Sequence, residues 1–303
     1  MIFKINIIYS LLDKILLSTS DTVINYWNIE TGECLMNLTK HTTTITSLEI
    51  TKDGRLLSGS VEGNIYIWNL IIGEFLNSLL GHSKDVMDLK MMSNDELVSV
   101  SLDGTIKLWH LRNYSLIKTI NAHSGYIFAL EITTDGRIIT ACGDKTIKIW
   151  NITTNECLRT LTGHNHWIRS LRLLNDSYLA SGSDENIIKI WNIDNGECLR
   201  NLTGANGWVV SMKVNNDGQL MGGTYGSGIF MWDTITWQVT KVLYGDGPVQ
   251  DLEIYDDKLI GVGWKKILFW ITRNSTNFKT IKTEKFIRKL KKGKFNNLKL
   301  VFL

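Results

Sequence analysis

The stretch DKTIKIWNITTNECLRTLTGHNHWIRSLRL, from Asp144 to Leu173, decides the fold. An alternating apolar run leads into Trp150, and a Gly163-His164 pair precedes a second apolar run. Alternation with a period of two is typical of a strand that buries one face. The stretch holds no activated nucleophile and no phosphate-binding loop, but the chain repeats it with few changes.

Tryptophans mark the repeat. Six of them follow one another at a constant interval and the seventh comes at a slightly shorter one: Trp27, Trp68, Trp109, Trp150, Trp191, Trp232 and Trp270. A Gly-His-like pair such as Gly81-His82 precedes most units, and five units have an acidic residue six positions before the tryptophan. A fixed period of about 40 residues indicates that one supersecondary unit is repeated along the chain.

Each unit predicts four short strands. In the second unit these are Ile45–Ile50, Leu56–Ser60, Asn64–Trp68 and Phe75–Leu79. Clusters of Gly, Asp, Glu and Asn separate the runs and act as turn signals. A single four-stranded sheet of this length cannot bury both of its faces, so the units must pack against one another. The sequence therefore predicts an all-β fold built from seven four-stranded antiparallel sheets.

At this point a family resemblance is plain. The segments SGSVEGNIYIWN, SLDGTIKLWH and ACGDKTIKIWN resemble WD40 repeats, although only Trp232-Asp233 keeps the literal WD dipeptide. The resemblance covers about residues 1–284 and implies a seven-bladed β-propeller of four-stranded antiparallel blades. Residues 285–303 are then a separate basic tail.

The resemblance also implies a structural hydrogen-bond network in each blade. In the family it joins a His, a Ser or Thr of the second strand, a turn Asp and the Trp. The residues that match it in the third and fourth units are His82, Asp103, Trp109, His123, Asp144 and Trp150. Two other histidines of Gly-His-like pairs, His41 and His164, face Glu62 and Glu185 instead. Units six and seven lack the network, so we expect less rigid turns there.

Closure of the ring is expected to depart from the family pattern. In most members an N-terminal strand completes the last blade. Here residue 1 already begins an innermost strand, so the outer strand of blade seven should follow Trp270, where Phe278 and Ile281 have the right phase. We expect packing of blade one on blade seven without a strand swap. A truncated gene is the alternative.

The family commonly binds partners on the face that carries the loops entering the first strands and the turns between second and third strands. Carried over position by position, the resemblance assigns to this face Asp85, Met87, Leu102, Tyr126, Phe128, Trp167, Arg169, Asp184, Trp208 and Tyr225, with Val210, Pro248 and Gln250 completing the set. Tyr, Phe, Trp and Arg dominate interface hot spots, and here they cluster on blades four to six. The alternative is that Trp167 and Trp208 only seal the gaps between blades.

Catalysis and metal binding have little support in the sequence. His164 and His166 lack a visible third ligand, and the glycine-rich segment 222–228 has no GK[ST] and opens no helix. We therefore expect no catalytic residue, no metal, no cofactor and no small-molecule substrate. A propeller enzyme is a third hypothesis, and it would require polar side chains clustered along the central channel.

Charge divides the chain in two. The net charge is +3, but residues 279–303 hold nine basic residues and one acid, so they carry +8 and the remainder −5. The main hypothesis is a non-catalytic scaffold that binds other proteins through the loop face. The alternative is peripheral binding of anionic lipid or nucleic acid led by the tail. Four cysteines without a CxxC pair suggest reduced thiols and the cytoplasm, with the nucleus as a second location.

Overall fold

The computed structural model describes residues 7–10, 15–28, 31, 33–93, 95–226, 228–244, 247–255, 258–263, 266–271 and 278–282. The boundary expected at residue 284 and the basic tail lie outside these residues, so both stay predictions. Within the described residues, 28 strands form seven four-stranded antiparallel sheets, and each sheet takes four consecutive strands in chain order.

The first four sheets have the following strands. Sheet 1 contains β1 (Ile7–Ser10), β2 (Ile15–Ser20), β3 (Val23–Asn28) and β4 (Cys34–Leu38). Sheet 2 contains β5 (Ile45–Ile50), β6 (Arg55–Ser60), β7 (Ile65–Asn69) and β8 (Phe75–Leu79). Sheet 3 contains β9 (Val86–Met91), β10 (Glu96–Ser101), β11 (Thr105–His110) and β12 (Ser115–Asn121). Sheet 4 contains β13 (Ile127–Ile132), β14 (Arg137–Cys142), β15 (Ile147–Asn151) and β16 (Glu156–Leu161).

The remaining three sheets repeat this plan. Sheet 5 contains β17 (Ile168–Leu173), β18 (Tyr178–Ser183), β19 (Ile188–Asn192) and β20 (Cys198–Leu202). Sheet 6 contains β21 (Val209–Val214), β22 (Leu220–Thr224), β23 (Gly228–Trp232) and β24 (Val239–Tyr244). Sheet 7 contains β25 (Asp251–Tyr255), β26 (Lys258–Gly263), β27 (Lys266–Ile271) and β28 (Phe278–Lys282). The predicted fold class, an all-β propeller of four-stranded antiparallel blades, is confirmed.

Five of the repeat tryptophans, Trp68, Trp109, Trp150, Trp191 and Trp232, stabilise the ring because they lie between sheets. Six apolar layers join successive sheets, and each contains residues from both neighbours. Trp191 of sheet 5, for example, packs in one layer with Ile139 and Ile147 of sheet 4. Truncating such a fully buried indole to alanine would cost about 3–5 kcal/mol of stability. The constant spacing of the tryptophans thus reflects one interface per repeat.

Among the strands that the structure describes, the ring closes without an exchanged strand, as the sequence predicted. Strand β28 pairs with β27 inside sheet 7, and β1 pairs with β2 inside sheet 1. The two inner strands β1 and β25 lie next to each other at the seam. Inner strands of neighbouring sheets are adjacent around the whole ring and surround a central channel. The loops that enter these strands and the turns between second and third strands lie at one mouth of that channel.

Candidate interaction face

A hydrogen-bond network fixes the turn of sheet 3 at this mouth. The ring of His82 bonds through Nδ1 to the Asp103 carboxylate at 2.9 Å and through Nε2 to Ser99 Oγ at 2.7 Å. The indole N–H of Trp109 donates to the same hydroxyl at 2.8 Å. Burial lowers the pKa of His82. Burial opposes ionisation of Asp103, yet hydrogen bonds from His82 and Thr105 hold the pKa of this carboxyl well below its usual range.

Sheet 4 repeats the network with two substitutions, because Thr140 stands in place of Ser99 and Cys142 in place of Ser101. His123 bonds to Asp144 and to Thr140 Oγ1, both at 2.8 Å, and the indole N–H of Trp150 donates to Thr140 Oγ1 at 3.1 Å. Cys142 occupies the position of Ser101 in sheet 3, and its sulfur accepts the Asp144 N–H at 3.3 Å. The six residues assigned to the network in these two units are therefore in hydrogen-bonded contact.

The same corner offers three groups of metal-ligand type. Ligand atoms of His123, Cys142 and Asp144 lie within 4.8 Å of one another. Both imidazole nitrogens of His123, however, already bond to protein groups. Burial raises the pKa of the Cys142 thiol to about 12, so the sulfur stays protonated at neutral pH and is a poor ligand. The residues fit the structural network better than a metal site.

Glutamate replaces aspartate in two blades with different results. In sheet 5, Glu185 bonds to His164, whose Nε2 bonds to Ser181 Oγ at 2.6 Å. In sheet 2, His41 Nε2 bonds to Ser58 Oγ at 2.6 Å, while Glu62 accepts hydrogen bonds from residues 42 and 64. The longer side chain therefore completes the network in one blade and caps its own turn in the other.

Sheet 6 has lost the network at its centre. Gly222 stands where the preceding sheet has Ser181, and the buried indole nitrogen of Trp232 has no hydrogen-bond partner in the described part of the chain. Asn206 partly replaces the missing histidine: its Oδ1 accepts the Thr224 hydroxyl at 2.9 Å, and its Nδ2 donates to the carbonyl of residue 226 at 2.7 Å. The turn is thus held by an amide in place of an imidazole.

Above these networks, loops from six sheets surround a depression at the channel mouth with a volume of about 610 Å³. We call it the mouth depression. It is lined by Thr44, Thr46, Val61, Lys84, Asp85, Met87, Leu102, Tyr126, Phe128, Trp167, Arg169, Val210, Tyr225 and Gln250. Ten of the thirteen residues assigned to the binding face are in this lining. Of the other three, Asp184 and Trp208 contact Arg169, and Pro248 is outside the lining.

Arg169 organises one side of the mouth depression. Its Nε and Nη2 donate to the two carboxylate oxygens of Asp184, both at 2.8 Å. Its guanidinium carbon lies 4.4 Å from the ring centre of Phe128, 4.7 Å from that of Trp167 and 5.6 Å from that of Trp208. A planar guanidinium suits both contacts, because it pairs with a carboxylate in its plane and stacks on rings through its faces.

Three residues of the face that contact one another are largely buried, and so is Gln250. Phe128 is buried, and the side chains of Asp184 and Arg169 are only 2% and 12% exposed. The physical reason is the stack itself, since the guanidinium covers the phenyl ring and draws the carboxylate inward. These three residues therefore shape the mouth depression more than they present surface to a partner.

Tyr126 and Trp167 remain available on the surface. Their side chains are 42% and 38% exposed, and the two rings meet edge to face at 6.3 Å. The ammonium of Lys84 lies 5.1 Å from the Tyr126 ring centre. Trp208 stacks on Tyr225 at 5.2 Å and is only partly exposed, which fits the alternative that it seals neighbouring blades.

Sequence reasoning missed the contribution of sheet 2. Thr44, Thr46 and Val61 line the mouth depression, although only blades three to seven were assigned to the face. The signal was present, because these residues lie one repeat before Asp85, Met87 and Leu102. Lys84 had no such signal, since its proximity to Tyr126 depends on the path of the loop. Val210 and Gln250, which were assigned to the face, are in the lining.

The central channel below carries the polar cluster that the enzyme hypothesis requires. A cavity of about 200 Å³ is lined by charged side chains that occupy the same repeat position on the inner strands of successive sheets: Glu49, Lys90, Glu131, Arg172 and Lys213. Neighbours pair across the sheets, with Lys90 at 4.0 Å and Arg172 at 3.8 Å from Glu131. The charges alternate in sign over the first four members, so the three interfaces between sheets 2 and 5 bring opposite charges together, whereas Arg172 and Lys213 on sheets 5 and 6 have the same sign.

Further acids of the channel are also bonded to the protein. Asp88 accepts the N–H of residue 130 at 3.0 Å, Asp251 accepts the Ser211 hydroxyl at 2.9 Å, and Glu253 pairs with Lys213 at 3.0 Å. Burial raises the pKa of Glu49 to about 7, against the opposing effect of Lys90. The channel thus contains one carboxyl of unusual pKa within a set of structural ion pairs.

Comparison with known proteins agrees with this architecture. Within the described residues, no helix has the length and apolar character that would let it cross a membrane. No curated protein matches the chain in sequence. The family model described as WD domain, G-beta repeat, matches residues 32–69, 73–110, 114–151 and 155–192, together just over half of the chain. Each match begins just before an outer strand and ends with the third strand of the next sheet. The chain therefore belongs to the WD40 repeat family.

Proposed function

We propose that this propeller is a non-catalytic scaffold that binds other proteins through the mouth depression. The observation that carries the proposal is the exposed pair of Tyr126 and Trp167 at a concave site lined by six sheets. Aromatic residues at a concave surface give large contact area for little loss of side-chain entropy. WD40 propellers typically act as interaction scaffolds.

In the proposed mechanism, the propeller holds the binding loops in fixed positions before a partner binds. The networks around His82, His123 and His164 tie each loop to its own sheet. The stack of Arg169 on Phe128 and Trp167 holds the aromatic edge in place. Binding to such a surface loses little conformational entropy, because the loops are ordered before the partner arrives.

Absence of catalysis is part of the proposal. Its support is that the acids of the central channel take part in ion pairs and hydrogen bonds across the sheets, as Glu131 and Glu253 do. Such pairs stabilise the ring by themselves, so the channel needs no substrate to explain its charges. For location we propose the cytoplasm, or the nucleus, with support only from four free cysteine thiols.

The test compares two exposed aromatic residues at opposite ends of the propeller. Trp167→Ala removes a ring at the mouth depression, whereas Tyr178→Ala, 38% exposed at the start of β18, removes a ring of similar exposure at the other end. We expect Trp167→Ala to lose captured proteins in a quantitative affinity pull-down, with at least tenfold lower recovery. Tyr178→Ala should recover them like the wild type.

Thermal unfolding of both variants is the control for folding. A shift of only a few degrees in either variant would assign the loss of recovery to the surface. Equal recovery from all three proteins would show that the mouth depression is not the binding site.

A further inference from the structure

The proposed scaffold does not explain the position of Gln250 in the mouth depression. It lies immediately before β25 and is only 3% exposed. Neither its amide nitrogen nor its amide oxygen has a hydrogen-bond partner among the described residues. The side chain therefore holds an unpaired NH2 donor group and an unpaired carbonyl acceptor beside a concave site, and because both are almost inaccessible to solvent, the amide must turn outward to meet a ligand.

An unpaired buried amide is unusual in a folded protein. Buried polar groups are almost always bonded, because water is lost on burial and must be replaced. Here the donor and the acceptor belong to one planar group, so a ligand group that satisfies both must itself offer an acceptor beside a donor. A carboxamide meets this requirement with two antiparallel hydrogen bonds.

The charges of the residues that line the mouth depression also favour a neutral ligand group. Lys84 and Asp85 have opposite signs, and Arg169 is paired with Asp184, so the lining offers no uncompensated charge. A ligand carboxylate would leave Gln250 Oε1 unpaired, and an ammonium would leave Nε2 unpaired. Either ion would also lose its hydration without gaining a counter-ion. A neutral group is favoured.

The burial of Gln250 determines which part of a peptide can contact it. Tyr126 and Trp167 are exposed and offer a platform on which a peptide backbone can lie. Gln250 is buried, so a side chain must enter the depression to contact it. We propose that the mouth depression recognises a peptide carrying Gln or Asn, whose carboxamide pairs in both directions with the carboxamide of Gln250. This inference rests on the proposed protein-binding function and names the chemistry of its partner.

The experiment uses defined peptides and the full chain. Five sets of acetylated, amidated heptapeptides are degenerate at six positions and carry Gln, Asn, Glu, Lys or Leu at the centre. Binding of the labelled protein to each immobilised set is titrated. We expect the Gln or Asn set to bind about tenfold more tightly than the Glu, Lys and Leu sets, the effect of two neutral hydrogen bonds.

Gln250→Met separates recognition from folding. Methionine keeps the length and removes both unpaired polar atoms, so the midpoint of thermal unfolding should stay the same or rise. The preference for Gln or Asn should disappear. Gln250→Glu is the second variant, because a carboxylate at this position should move the preference to the Lys set. A Met variant that unfolds several degrees earlier would show that the amide is bonded in the free protein and would overturn the proposal.

The outcomes distinguish this proposal from the scaffold function. Equal binding of all five sets, lost in Trp167→Ala, would overturn the role of Gln250 and keep the mouth depression as the binding site. Binding to no set would contradict both. A preference for Gln or Asn that persists in Gln250→Met would place the recognising group elsewhere in the depression and would also overturn the proposal.

Discussion

At the scale of single residues, Arg169 was the least predictable member of the site. Its repeat position identified the channel mouth correctly, and its side chain lines the depression. Its pairing with Asp184, which lies in a later turn of the same sheet, depends on how two loops approach each other in space. The position of a residue in the repeat predicts where its side chain lies in a blade but not which rotamer it adopts. The sequence therefore could not predict that the Arg169 guanidinium covers Phe128.

This geometry makes Arg169 a determinant of stability. Arg169→Met should lower the free energy of unfolding by about 3–5 kcal/mol, because it removes the bidentate counter-ion of the buried Asp184 carboxylate and leaves only the exposed imidazole of His166, 3.8 Å away. The double variant Arg169→Met with Asp184→Leu should recover part of this loss, since no charge is then buried alone. Urea denaturation of the wild type, the two single variants and the double variant measures the coupling.

Additive effects of the two substitutions would contradict the pairing. The result also bears on binding experiments, because a variant that removes both Trp167 and Arg169 would mix loss of the surface with loss of stability. Trp167 alone is the cleaner probe of the mouth depression.

At the scale of strands, the repeat predicted the elements closely. Strands β5 and β8 have the predicted bounds, and β6 and β7 differ by one residue at each changed end. The glycine-rich segment 222–228 is a turn only in its later part, because its first glycines belong to β22. Glycine is a turn signal by composition, and only the pairing of Gly222 with Phe230 shows that the strand continues.

The outer strands show a second limit, which concerns the prediction of burial from recurring apolar residues. Apolar residues recur eight and eleven positions after six of the seven repeat tryptophans, such as Leu76 and Leu79, or Leu158 and Leu161. Positions three apart face opposite sides of a strand. The structure buries Leu79 and Leu161 and leaves Leu158 49% exposed. One of the two recurring apolar positions is therefore on the surface and does not contribute to an apolar layer.

The networks at the strand ends predict a pH-dependent stability. Burial lowers the pKa of His41 to about 4, so the folded protein holds this ring neutral while the unfolded chain titrates near its ordinary value of 6.5. The unfolded state then binds more protons between these two values, and stability falls as pH falls through this window. The contribution of His41 is constant above about pH 6.5 and decreases by about 2–3 kcal/mol toward pH 4.

His41→Gln removes this titration. The free-energy difference between the wild type and the variant, taken from urea curves at pH 8, 6.5, 5.5 and 4.5, should be largest at pH 8 and shrink steadily with acid. Comparing the two proteins at each pH cancels the carboxylates and the other histidines. A difference that stays constant across the series would contradict a neutral buried His41.

At the scale of the whole molecule, the boundaries of the sequence repeats do not coincide with the boundaries of the sheets. Each matched repeat supplies the outer strand of one sheet and the first three strands of the next, as residues 73–110 do with β8 and β9–β11. Every repeat therefore joins two sheets by covalent bonds as well as by an apolar layer. The seam between sheets 7 and 1 is the exception, because there the two sheets meet without a shared repeat.

The seam should consequently open first. At the seam β1 lies next to β25 and no repeat is shared, whereas sheets 4 and 5 share a repeat and an apolar layer that includes Trp191. In native-state hydrogen exchange we expect amides of β25 and β26 to exchange at least tenfold faster than amides of β14 and β18, which occupy inner positions of well-packed sheets. Low denaturant concentrations should widen this difference if the seam opens as a unit. Similar protection of both groups would mean that the ring unfolds as one cooperative body, and packing alone would then close it as firmly as a shared repeat.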